Sequence, residues 1–155
     1  PEKSATLEEL VRNEVAEKKK TATQGLLWLT RGQSFTCKAL QATQATQDKE
    51  LSTAFTESYT STLKPFHNFV VKAIFSVIFS NASYNLIVNM FQKAAMSACP
   101  KRNDLYTKLK EDKEGGPAAT QEELDEKLNE WLTSLDQIVT RIDTYLEGNG
   151  YKKGL

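Results

Sequence analysis

Two side chains of this sequence have the right chemistry for ligand recognition. Trp28, within LLWLTRGQSFTCKAL at 26–40, offers a flat indole face and an Nε1–H that can only donate. Such a face can stack on the apolar CH face of a sugar ring, and it can equally pack in a helical core. His67, the only histidine, stands in LKPFHNFVVKAIF at 63–75. A neutral imidazole donates from one nitrogen and accepts at the other, which fits a ligand amide, but a structural histidine uses the same valences. Nucleophilic chemistry is not supported. His67 has no Ser-His or Cys-His frame, and carboxylates such as Glu122, Glu123, Asp125 and Glu126 cluster on a solvated face. No enzyme is expected.

The elements that position these residues are helical. Leu7, Leu10, Val11 and Val15 form a short apolar stripe on a segment running into Lys18, Lys19 and Lys20, which would suit a last helical turn. A second helix, from about 23 to 40, puts Trp28, Gly32, Phe35 and Ala39 on one face. Large and small residues alternate there and leave a groove. Leu51, Phe55, Tyr59 and Leu63 mark a third helix, which Pro65 should interrupt near Lys64. The next helix, from about Phe66, is apolar on nearly every face and belongs at the centre of a domain. After Pro100 a short helix carries Leu105, Tyr106 and Leu109. Thr120 with Glu123 then forms a capping box that opens a long helix, stopped by Gly148 and Gly150. That helix repeats Leu124, Leu128, Trp131, Leu135, Ile138, Ile142 and Tyr145. No strand pattern competes, so an all-α fold is expected.

Composition narrows the partners. The 155 residues suit a single domain, and 20 basic against 20 acidic residues leave no net charge. Nucleic acid is therefore not expected, for want of a basic excess to neutralise a phosphate backbone. Cys37 and Cys99 are widely separated and read as reduced thiols of a cytoplasmic protein; with one histidine they cannot build a structural zinc site. No metal or other cofactor is expected, nor is a signal peptide read in PEKSATLEEL.

The run Trp28-Leu29-Thr30-Arg31-Gly32, followed by the frame Leu63-Lys64-Pro65-Phe66-His67, closely resembles the glycolipid transfer protein family, its fungal heterokaryon-incompatibility type in particular. The resemblance implies a two-layer helical sandwich, spanning 1–155 as one domain, that carries single glycosphingolipids between membranes without catalysis. It implies that Trp28 stacks on the sugar headgroup and that His67 bonds the ceramide amide region. Phe35, Leu63, Val71, Phe75, Leu105 and Trp131 would line the acyl-chain pocket, and Phe69 with Lys64 would touch the membrane. Burying the chain is a physical necessity, since exposing sixteen carbons to water costs roughly 13 kcal/mol. Trp28 favours a sugar over a phosphate headgroup, because the phosphate-binding branch carries a basic residue there. Gln24 and Ala39 replace a leucine and a phenylalanine of some members, which would reshape the tail pocket. A monomer is expected, in transient contact with a membrane surface.

The resemblance also sets two departures. The family's Asp, Asn and Lys contacts would fall before Pro1, so the chain is expected to lack the first helices. And 72–76 should run almost directly into 95–106, which marks about 77–93 as an insert. It begins with valine and can end at Phe91-Gln92, as a translated intron would (GT…TTTCAG); a genuine loop is the other reading. Residues 73–92 hold no charge and have the length of a membrane span, but Asn81, Asn85 and Asn89 argue against one. A lipid-sensing or interaction module that has lost transfer activity, or a non-functional product of a faulty gene model, is the alternative.

Overall fold

The computed structural model describes residues 4–67, 99–111 and 115–153. Among these described residues five α-helices follow in order: α1 Leu7–Ala16, α2 Thr21–Ala45, α3 Leu51–Thr62, α4 Arg102–Lys110 and α5 Gln121–Gly148. There is no strand among the described residues, as the patterning requires. No described helix is long and apolar enough to cross a membrane. The apolar helix expected after Phe66, and the expected insert at about 77–93, lie outside the described residues.

The central element is α2, which packs against both α3 and α5. Its inner face buries Leu26, Leu27, Cys37 and Ala39 together with Thr23, Thr30 and Thr43. The hydroxyls are satisfied locally: Thr30 donates to the Leu26 carbonyl at 2.8 Å, and Thr43 to that of Leu40 at 2.8 Å. Ser58 of α3 donates to the Phe35 carbonyl at 2.6 Å and ties the two helices together. The Cys37 thiol, fully buried, donates to the Leu132 carbonyl of α5 at 3.5 Å. Both cysteines are free thiols, and burial pushes each above the usual thiol pKa.

The start of α2 is capped by a residue of another helix. Lys20 at the N-cap makes no side-chain cap bond. Glu14 of α1 instead accepts from the backbone N–H of Ala22 and of Thr23, both at 2.6 Å, and from the Thr23 hydroxyl at 2.7 Å. This satisfies donors that an α-helix leaves orphaned, and it sets an anion on the positive end of the dipole. Burial works against the carboxylate, but these donors prevail and hold its pKa below 4.5. A carboxyl group with a depressed folded pKa contributes stability that is complete above its unfolded value and fades as pH falls through the folded one. Glu14→Ala should therefore cost about 2 kcal/mol at pH 7 in urea titration and progressively less in acid. An equal loss at pH 7 and pH 3 would show that the cost is packing.

Two local expectations need correction. The lysines after α1 do not sit in its last turn: the helix ends at Ala16, and Lys18 takes a left-handed φ of 57° to turn the chain toward α2. The turn closes the helix end: Lys18 N–H bonds the Val15 carbonyl and Lys19 N–H that of Glu14, each at 3.0 Å. Phe66 does not open an α-helix either. After α3 stops at Thr62, Lys64–Phe66 form a 3₁₀ turn with Pro65 in its first positions, and His67 is extended. Proline removes a donor and presses the residue before it out of the helix, so the break comes where it is expected. The start of α5 matches its reading: the Thr120 hydroxyl accepts from Glu123 N–H at 3.2 Å, and the Glu123 carboxylate accepts from Thr120 N–H at 2.8 Å. At its far end Gly150 takes a φ of 69°, where a side chain would be strained.

Candidate functional site

Trp28 and His67, 39 positions apart in sequence, meet face to face. Their ring centroids lie 5.8 Å apart with planes 19° from parallel. α2 supplies the tryptophan, and the 3₁₀ turn after α3 swings the histidine onto it. Tyr59 of α3, buried to 5% exposure, also holds the histidine: its hydroxyl and His67 Nδ1 share a hydrogen bond of 3.2 Å, with centroids 5.6 Å apart. Burial raises the Tyr59 pKa, so the phenol keeps its proton at neutral pH.

Arg31, one helical turn beyond Trp28, completes the cluster. Its guanidinium carbon lies 4.9 Å from the indole centroid and 3.5 Å from the ring centroid of Phe66. Stacking of this kind suits a planar, weakly hydrated cation and fixes both rings. Burial lowers the Arg31 pKa from its usual value while Asp143 opposes the shift. Trp28 remains 39% exposed and Phe66 49% exposed, so the cluster is open to a ligand on one side. A Cβ added at Gly32 would meet nothing within 4 Å, and the groove expected beside the aromatics is open space.

Beyond Arg31 and Phe66 runs a cleft of about 500 Å³ between α2, the end of α3 and α5. Ser34, Lys38, Ser61 and Asp143 are among its lining residues. Hydroxyls and charges of both signs suit a polar group, not a hydrocarbon chain. The expected pocket residues are distributed more widely. Leu63 is buried, at 8% exposure, and Phe35 is half-buried with its ring edge-on to Phe55 at 5.2 Å. Leu105 is half-buried on α4, whereas Trp131 is 50% exposed on α5. Lys64 is exposed beside Phe66. Phe69, Val71 and Phe75 lie outside the described residues.

Sequence reasoning placed Trp28 and His67 in a site but did not single out Tyr59, Phe66 or Arg31. The signal for Arg31 was its i, i+3 spacing from Trp28, which puts both on neighbouring helix surface. Tyr59 offered none, because its contact with His67 depends on how the chain turns at Pro65.

This fold, with an aromatic cluster set on its central helix, matches a known class. The family model described as glycolipid transfer protein matches residues 1–111. The chain belongs to the glycolipid transfer protein family. It is 39% identical over 146 residues to the glycolipid transfer protein of Aureobasidium melanogenum, covering 94% of this chain and 60% of the relative. Pleckstrin homology domain-containing family A member 8 of Canis lupus familiaris is 28% identical over 155 residues, covering 96% of this chain and 26% of that protein. Among solved structures, the crystal structure of HET-C2, a fungal glycolipid transfer protein, superposes with a TM-score of 0.71 at 40% identity, over 95% of this chain and 62% of that one. The chain thus spans about three-fifths of the length of its fungal relatives.

Proposed function

We propose that this chain is a single domain that binds glycosphingolipids and transfers them between membranes without catalysis. The sugar headgroup rests on the exposed part of the Trp28 ring, and the ceramide amide bonds His67. Phe35, Leu63, Val71 and Phe75 take the carbon chains, with Leu105 as a further lining residue. The protein approaches the bilayer with Lys64 and Phe69, as a cytoplasmic carrier in transient contact. One observation carries the reading: two residues 39 positions apart are stacked within a cluster that Tyr59 and Arg31 hold in place. Pre-orientation of this kind lowers the ordering cost of binding a polar headgroup. The open, hydroxyl-rich cleft beside Arg31 supports a sugar over a bare hydrocarbon as the group bound there. Family membership supports the cargo class.

The test is transfer of a fluorescent glucosylceramide between neutral vesicles, with a fluorescent phosphatidylcholine as control cargo. We expect glycolipid transfer by the wild-type chain and little phospholipid transfer. His67→Ala should reduce the rate about tenfold, the value of one hydrogen bond to a neutral amide plus ring packing. Tyr59→Phe keeps the ring but removes the hydroxyl that bonds His67, and should lie between the two. Equal rates for both cargoes, or a His67→Ala rate equal to wild type, would sink the assignment. Glycolipid binding without any transfer would favour a lipid-sensing module.

A further inference from the structure

Arg31 enters the aromatic cluster by its faces and leaves its edge unused. Its guanidinium carbon stands 3.5 Å from the Phe66 ring centroid. Only a flat approach fits that distance, because an N–H aimed at the ring would hold the carbon farther out. A flat guanidinium directs its five N–H donors sideways, in its own plane. None of them reaches an acceptor among the described residues: Arg31 makes ring contacts, but no hydrogen bond and no ion pair. The side chain is half-buried, where donors without a partner cost more than at an open surface. Its edge is set up to meet an acceptor.

The cleft beyond Arg31 leaves that edge to a ligand. Its two carboxylates are already held, since Lys152 pairs with Asp143 at 2.8 Å and with Glu147 at 3.1 Å. Asp143 acts on Arg31 through its charge, without a hydrogen bond. Lys38, two turns beyond Arg31 on α2, lines the same cleft and is equally without a partner among the described residues. Arg31, Lys38 and Lys152 against Asp143 and Glu147 leave a surplus of one positive charge, which favours acceptor oxygens over an amine. The hydroxyl protons of Thr30, Ser61 and Thr62 are taken by carbonyls of their own helices, at 2.8, 3.1 and 2.6 Å. Arg31 and Lys38 are thus the charged donors that the cleft leaves unused. Resting on the reading of Trp28 and His67 as a glycolipid site, we propose that Arg31 is a specificity-determining residue whose guanidinium edge hydrogen-bonds the sugar oxygens directly. The guanidinium lies 4.9 Å from the centroid of the partly exposed Trp28 ring, so a sugar resting on that ring comes within its reach. A ceramide without a sugar offers this edge nothing. It is rejected because binding it keeps half-buried donors without a partner.

Two measurements test this. With isotope-labelled arginine in the full chain, glucosylceramide in detergent micelles should move the Arg31 side-chain N–H resonances, identified by their loss in Arg31→Lys. Ceramide in the same micelles should leave them in place. In vesicle transfer the wild-type chain should favour glucosylceramide over ceramide, and Arg31→Gln should lower that preference at least about tenfold, as loss of hydrogen bonds from a charged donor does. Arg31→Lys keeps the charge without the planar fork and should restore part of it. Arg31 resonances that answer both lipids equally, or a preference that survives in Arg31→Gln, would overturn the proposal and leave the glycolipid reading standing. A wild-type chain that does not tell the two lipids apart would remove that reading and the proposal with it. Should Arg31→Gln fail to fold, the resonances of the wild-type chain still decide.

Discussion

Replacing Trp28 with alanine should lower glycolipid transfer by about tenfold to a hundredfold while leaving the protein folded, a loss of roughly 1.4 to 2.7 kcal/mol of headgroup stacking. The argument rests on how the ring is held. Its place on α2 is anchored by the buried neighbours Leu26, Leu27 and Thr30. The ring itself is 39% exposed and touches His67 and Arg31. Losing these contacts costs about 0.5 to 1 kcal/mol each at a partly exposed site, well within the stability of a folded domain. Trp28→Phe keeps a stacking face but loses the Nε1–H and some area, so it should fall between. Thermal unfolding and transfer would be measured on the same samples. A transfer rate unchanged by Trp28→Ala would remove the headgroup assignment, and a collapse in thermal stability would recast Trp28 as a core residue.

How far the sequence reveals this architecture depends on the range of the interaction concerned. The capping box at Thr120, the proline break after α3 and the glycine stop of α5 are decided within a few residues, and each appears where local rules put it. α2 runs to Ala45, beyond the expected 40, because Thr43 and Gln44 are held to the Tyr106 hydroxyl of α4 at 3.2 and 2.8 Å. No local pattern announces that tie. Nor could it announce Glu14, whose carboxylate caps a helix other than its own. The site was legible in part for the same reason. Trp28 and His67 were visible by type and by resemblance, but the residues that orient them, Tyr59 and Arg31, are set by the turn at Pro65 and by the helical step from Trp28.

The long helix shows where reading by residue size misleads, and it yields the second large effect. Trp131 and Leu132 are adjacent on α5, and the larger side chain is the more conspicuous in sequence. The structure reverses their weight, with Leu132 at 1% exposure and Trp131 at 50%. Leu132 packs where α5 crosses α2, and its carbonyl accepts from the buried Cys37 thiol. Leu132→Ala should therefore destabilise the chain by about 3 kcal/mol, the transfer cost of the lost methyl groups plus that of the cavity left between the two helices. Trp131→Ala removes more atoms but leaves no cavity, and should cost under about 1 kcal/mol when measured in urea at low micromolar concentration. A large Trp131→Ala loss would mean that the indole is packed within the fold and not at its surface.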